Sequence, residues 1–318
     1  MEKYNSASET IKQLSLETAK GFLGKPEIVN LMVLGLVSGL HILIEDVSGI
    51  GKTTLVRCLA KGCGLDYGRV QFTPDLLPGD ITGMTIWDPV KREFIFRKGP
   101  IHKQFLLADE LNRAPSRTQS ALLEAMQEEA VTVDGVRTPL PAPFFVAATQ
   151  NPTWYAGTYN LPESQLDRFG LSISPGYPEE KVEESILKEF KAELPEDRIS
   201  AVTTPERIKE LKGLISSVRI DDLLLSYIVN IGKESRLSSD FQTGISTRGL
   251  QHLIRLAQGR ALLNGRAFII PEDLIESAGP VMRHRLPLSP EARSEGKPVE
   301  MFIKKLLSRI PIPAGFNP

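Results

Sequence analysis

Five short apolar runs punctuate the first half of the chain, at residues 41–45, 69–72, 105–109, 144–149 and 171–174. Within them Ile42-Leu43-Ile44, Phe105-Leu106-Leu107 and Phe144-Phe145-Val146 are continuously apolar instead of alternating with polar residues. A strand covered on both faces needs that pattern, and helical periodicity between the runs predicts crossover connections. The expected fold class is α/β, a parallel sheet with helices on both sides. One helix is marked by Ala121, Leu122, Ala125 and Met126 on a single face; Ser116 and Gln119 read as its capping box, and it should stop before Val131.

Two insertions break the alternation and read as hairpins. Val131-Thr132-Val133 and Val136-Arg137-Thr138 flank Asp134-Gly135, a dipeptide suited to two left-handed turn positions. Thr85-Ile86-Trp87 and Glu93-Phe94-Ile95-Phe96 flank Asp88-Pro89-Val90, with Phe94 and Phe96 on one face. After about Pro178 strand signals stop. Thr204-Pro205-Glu206 and Pro271-Glu272-Asp273 read as helix starts, and Ser246 caps a helix carrying Leu250, Leu253, Ile254, Ala257 and Ala261. The organisation expected is a core at 1–178, with insertions at about 75–100 and 131–140, followed by a smaller all-helical domain at 179–318. Residues 286–298 look most like a linker.

Length and composition narrow the class. A chain of 318 residues is enough for about two domains. With 38 Lys+Arg against 39 Asp+Glu the net charge is −1, so no global positive field favours nucleic acid or anionic lipid. The uncharged run 28–44 is short for a membrane span and interrupted by Asn30, Gly35, Ser38, Gly39 and His41, so it reads as a buried helix followed by a buried strand. Cys58 and Cys63 fit small packing residues in a reducing compartment, and the first twenty residues lack an apolar signal segment. A cytoplasmic protein without membrane insertion is expected.

The chemistry concentrates where strands end. E-D-V-S-G-I-G-K-T follows the first predicted strand and precedes a helix, the context of a phosphate-binding loop. Asp46, Val47, Ser48, Gly49, Ile50, Gly51, Lys52, Thr53 and Thr54 are the expected nucleotide-contacting residues. Gly49 and Gly51 let successive N–H groups face an anion, Lys52 would reach the β and γ phosphates, and the Thr53 hydroxyl would meet Mg²⁺. Asp46 stands where the usual loop has its first glycine. Asp tolerates unusual backbone angles, so the loop should still form, and the consequence of the substitution falls on affinity.

Phe105-Leu106-Leu107-Ala108-Asp109-Glu110 is an apolar strand ending in two carboxylates. Asp109 suits Mg²⁺ held through water, and Glu110 suits polarising a water for in-line attack, which binding alone would not require. Asn151, in A-A-T-Q-N-P, could position that water or the γ-phosphate, or could simply stabilise a turn before Pro152. Arg168 in L-D-R-F and Arg248 in S-T-R-G are candidates for charge stabilisation, with solvation as the competing role.

These motifs resemble the MoxR family of AAA+ ATPases. The likeness is carried by E-D-V-S-G-I-G-K-T, by D-L-L-P-G-D-I-T-G at 75–83, by F-L-L-A-D-E-L-N-R-A-P-S-R-T-Q-S-A-L-L-E-A-M at 105–126, and by A-T-Q-N-P and G-T-Y-N-L-P-E-S-Q-L-D-R-F. Beyond 178 it rests on G-I-S-T-R-G and M-R-H-R. The resemblance implies a five-stranded core with a helical lid and ATP sites at the interfaces of a ring, usually a hexamer. It implies sensor roles for Asn151 and Arg248, and for Arg168 the role of an arginine finger serving a neighbour. The insertions resemble a presensor-1 hairpin and a helix-2 insert near a central pore. It further implies remodelling or activation of a client protein, often with a partner bearing a von Willebrand factor A domain.

A nucleic-acid motor of helicase or replication type is the alternative, and the neutral charge without a basic run argues against it. The guanine-reading N-K-x-D is absent, as is G-x-S-x-G, and the four histidines show no zinc-type pairing.

Overall fold

The computed structural model describes residues 2–47, 49–151, 159, 161–188 and 194–313. The chain runs through α1 (Glu2–Ala19), α2 (Pro26–Ser38), β1 (Ile42–Glu45), α3 (Lys52–Gly62), β2 (Tyr67–Gln71), α4 (Pro78–Thr82), β3 (Gly83–Asp88) and β4 (Glu93–Lys98). It continues with β5 (Phe105–Asp109), α5 (Ser116–Glu128), β6 (Ala130–Val133), β7 (Val136–Pro139), β8 (Phe145–Gln150), α6 (Glu163–Leu166) and β9 (Leu171–Ile173). Beyond it come α7 (Glu180–Lys188), α8 (Pro205–Ser216), α9 (Asp222–Leu237), α10 (Thr247–Leu263), α11 (Pro271–Met282), α12 (Pro290–Ser294) and α13 (Val299–Ser308).

Five of the strands form one parallel sheet in the order β2-β5-β8-β1-β9. The uninterrupted apolar runs are explained by the two faces. Ile42, Ile44, Phe105, Leu107, Phe145 and Ala147 enter one core, and Leu43, Leu106, Ala108, Val146 and Ala148 enter the other. Period-two alternation thus sends successive residues to opposite cores, both apolar. The first core also takes in α1, α2 and helices from α8 to α13, so the C-terminal helices pack against the sheet's helical layer rather than standing apart. β6 and β7 pair antiparallel around Asp134 and Gly135, whose φ values are 50° and 78°, the backbone a tight hairpin requires. β3 and β4 pair likewise, and the Asp88 carboxylate accepts from the Val90 and Lys91 amides to close the turn.

Several expectations are corrected. Residues 4, 7, 11 and 14 are buried on one face of α1, a helix that the sequence reading did not assign. Ser116 is the first helical residue of α5, so its hydroxyl is not at the cap. Pro115 occupies that position, and the buried Gln119 amide turns inward to the carbonyls of Leu111 and Ala114. The 286–298 stretch is packed structure: Leu288 bridges to Phe241, Ser289 caps α12 and Ala292 is buried. Thr204 and Ser246 do cap α8 and α10 through their side chains, and Asp273 accepts from the Ile270 amide at the start of α11. Cys58 and Cys63 are free and buried, and burial pushes the Cys58 thiol up to about 12. Among the described residues no helix is long and apolar enough to cross a membrane.

Candidate nucleotide site

The sheet order places β8 between β1 and β5, so the C-terminal ends of these three strands lie side by side. That edge is where parallel α/β sheets present ligands, because loops diverge there and helix N-termini point inward. The segments leaving β1, β5 and β8 carry the loop at 46–53, the pair Asp109-Glu110 and Asn151. Gly49, Gly51, Lys52, Thr53, Asp109, Glu110 and Asn151 line one cleft. Gly49 and Gly51 have φ of 86° and 84°, a region costly for side-chain-bearing residues. Among the described residues nothing lies within 4 Å of where a Gly49 Cβ would stand, whereas a Gly51 Cβ would meet the Phe22 ring at 3.2 Å. α3 starts at Lys52 behind Gly51, an N-cap with no side chain to bond its first amides. An anion of phosphate size fits this cradle.

Lys52 is buried, and its ammonium donates to the Asp46 carbonyl at 2.7 Å. Burial lowers its pKa, while Asp109, Asp46 and Glu110 pull the other way. Asp109 is held on both oxygens. Thr149 donates to Oδ1 at 2.6 Å, and Arg69 donates to Oδ2 through Nη2 at 2.7 Å and Nε at 3.2 Å. Glu110 sits at φ 56°, a strained backbone stabilised by its own amide donating to Thr149 Oγ1 at 2.8 Å. Its Oε1 accepts from Asn151 Nδ2 at 2.9 Å, and its Oε2 from Gln71 at 2.8 Å and Arg113 at 2.9 Å. Asn112 exchanges two hydrogen bonds with the Asn151 backbone, which fixes the residue directly after β8.

Asp46 does not aim at the cleft. Its carboxylate accepts from the Val47 amide at 2.8 Å, from Ser174 Oγ at 3.0 Å and from the Gly176 amide, tying the base of the loop to the chain leaving β9. It is not among the described residues of positive φ, so tolerance of unusual backbone angles is not what the position uses. Ser48 lies outside the described residues. Ile50 and Thr54 face a second, more apolar cavity of about 450 Å³ beside the loop, together with Phe22, Leu23, Tyr177 and Ile186.

Two expected residues are elsewhere. Arg168 Nη1 donates to the Leu123 carbonyl at 2.9 Å in a separate cleft shared with Ser120, Glu124 and Gln165. Arg248, half-buried near the start of α10, lies close enough to His252 and Arg285 to add to the lowering of their pKa that burial chiefly causes. Neither lines the cleft of Lys52 and Glu110. Sequence reading missed Arg69, Gln71, Asn112, Arg113 and Thr149. Only the register that sets Gln71 beside Asp109 reveals the first two, whereas Asn112 and Arg113 stand in the L-N-R run directly after Glu110.

A phosphate loop, an acidic strand end and a polar strand-end Asn converging on one sheet edge, with helices packed behind, define a P-loop ATPase with a helical C-terminal region. Residues 41–171 match the ATPase family associated with various cellular activities (AAA), and residues 233–306 match the AAA lid domain. Uncharacterized protein YeaC of Bacillus subtilis is 44% identical, with 92% of this chain and 91% of that protein covered. Chaperone MoxR1 of Mycobacterium tuberculosis is 36% identical, over 96% of this chain and 82% of the relative. A crystal structure of a candidate ATPase from Cytophaga hutchinsonii superposes with a TM-score of 0.89 at 36% identity, covering 98% of this chain and 97% of the other. The chain belongs to the MoxR family of AAA+ ATPases.

Proposed function

We propose that the protein hydrolyses ATP with Mg²⁺ at sites shared between subunits of a ring, a hexamer by family likeness, and couples turnover to remodelling or activation of a client protein. The observation that carries the reading is the convergence of Lys52, Thr53, Asp109, Glu110 and Asn151 on one cleft. The Lys52 ammonium exchanges the Asp46 carbonyl for a phosphate oxygen, a move of one hydrogen bond. The Thr53 hydroxyl and the Asp109 carboxylate are the groups that would hold Mg²⁺, which would supply neutralisation of charge on the phosphates. These are hard oxygen donors, and Arg69 and Thr149 keep the Asp109 carboxylate fixed. Glu110 accepts the proton of the attacking water, and Asn151 orients its carboxylate.

Arg168, lying outside its own chain's cleft, serves the neighbouring subunit's phosphates, and Arg248 acts from the helical lid at residues 179–318. The base is taken by the apolar cavity bounded by Phe22, Tyr177 and Ile186. The β3–β4 hairpin, with Trp87, Val90 and Phe94 exposed, and the β6–β7 hairpin, with Val136 exposed, contact the client, and a von Willebrand factor A domain protein is the expected partner class. The setting is the cytoplasm.

Light scattering after size exclusion, on Glu110→Gln with and without Mg-ATP, tests assembly. A nucleotide-dependent shift to a ring-sized mass is expected, together with loss of turnover in Arg168→Ala. A monomer under both conditions with Arg168→Ala fully active overturns the shared site.

A further inference from the structure

Arg285, in the turn between α11 and α12, is an arginine that the site does not use, yet it is only 7% exposed. Every nitrogen of its guanidinium is engaged. Nε donates to Asp167 Oδ1 at 2.9 Å, Nη2 to the Asp167 carbonyl at 3.1 Å and to the Phe169 carbonyl, and Nη1 to the Gly170 carbonyl at 3.3 Å and the Val281 carbonyl. Nη2 also donates to His252 Nδ1 at 2.7 Å, on α10. The backbone is therefore gripped immediately before and immediately after Arg168. His284 adds a contact between its Nε2 and the Phe169 carbonyl at 3.2 Å. On the other side of Asp167, Ser246 Oγ donates to the same carboxylate at 2.8 and 2.9 Å, and Ser246 is the N-cap of α10, two residues before Arg248.

Burying a guanidinium costs free energy, and this one's pKa is drawn down to about 10 by burial, against the opposing pull of Asp167. A buried apolar pair would hold two elements together at least as well. What a planar fork adds is direction, since several donors fixed in one plane dictate where each carbonyl sits. Arg168 itself is left adjustable. Nη1 rests on the Leu123 carbonyl, while Nε is buried without a partner among the described residues.

We infer that Arg285 is a positioning residue for Arg168, locking the peptide on both sides of it to α10 and α11 so that one subunit's lid sets where its arginine meets the neighbour's nucleotide. Any rotation of the lid about a subunit's own nucleotide is transmitted to the site next door through Arg285, Asp167 and Ser246. The inference rests on the reading in which Arg168 completes a neighbouring site, and the test separates the two.

Arg285→Lys keeps the charge and loses the fork. Its kcat is expected to fall about 10- to 100-fold with KM for ATP changed less than about twofold, the pattern of a misplaced group that acts in the transition state. Mixing is the decisive step. Glu110→Gln subunits cannot hydrolyse but carry an intact Arg168 and Arg285, whereas Arg285→Lys subunits keep an intact cleft. Equimolar mixed rings are therefore expected to turn over faster than the sum of the separate variants, as are rings of Arg168→Ala with Glu110→Gln. Asp167→Asn carries the same prediction if Arg285 variants fail to fold, judged by thermal melting. Restoration with Arg168→Ala but not with Arg285→Lys or Asp167→Asn overturns the positioning role and leaves the shared site standing, as does wild-type turnover in Arg285→Lys. Absence of restoration in both mixtures removes the shared site and this inference with it.

Discussion

Replacing Asp46 by the glycine usual at that loop position is expected to weaken the protein. The carboxylate accepts from two backbone amides, Val47 and Gly176, and from Ser174 Oγ. Hydrogen bonds to a charged acceptor contribute about 1.5–3 kcal/mol each, discounted here because the residue is half-exposed and water can replace part of them. A loss of about 2–4 kcal/mol follows for Asp46→Ala, with up to about 1 kcal/mol more for Asp46→Gly from backbone freedom. At about 2 °C per kcal/mol for a chain of this size, Asp46→Ala should melt about 4–8 °C lower. Asp46→Asn should fall between it and wild type, since its amide keeps one oxygen but turns an N–H toward donors. The nucleotide consequence is indirect: a loop no longer tied to the chain after β9 must be ordered on binding, which predicts about 3- to 10-fold weaker binding of a non-hydrolysable ATP analogue by calorimetry. Asp46→Ala melting within about 1 °C of wild type with unchanged affinity would refute the anchoring role.

Lys52→Ala should weaken ATP binding about 10- to 100-fold by removing the buried ammonium of the cleft, measured by the same calorimetry. Glu110→Gln should bind nucleotide normally and lose about 10²- to 10⁴-fold in kcat, and near-normal turnover would move water activation elsewhere. His41 supplies a pH prediction. Its ring bridges the Met126 carbonyl and the Val146 amide between Phe144 and Phe145, and burial lowers its pKa to about 4. Between pH 6.5 and 4 the unfolded chain binds a proton that the folded chain refuses, so stability is present above 6.5 and lost as pH falls, by at most about 3 kcal/mol. His252, lowered to about 3 chiefly by burial, adds in the same direction. Urea midpoints measured across this range should slope less steeply in His41→Gln than in wild type.

What the sequence determined by itself was local. The continuous apolar runs separated by helical stretches pointed to strands with two covered faces, Asp134-Gly135 pointed to a tight turn, and glycines at 49 and 51 ahead of Lys52 announced a phosphate loop, because backbone freedom and periodicity are properties of neighbouring residues. Local signals also misled where two motifs compete. Ser116 and Gln119 have capping-box spacing, but Pro115 had already fixed the helix start. Tertiary structure decided the partners. Arg69 and Gln71 reach Asp109 and Glu110 only because β2 pairs with β5 in one register. The Asp46 carboxylate became an anchor because the chain leaving β9 passes beside it. Arg285 grips the segment around Arg168 across more than a hundred residues of chain. Such contacts depend on how separate elements pack, and no spacing along the chain encodes them.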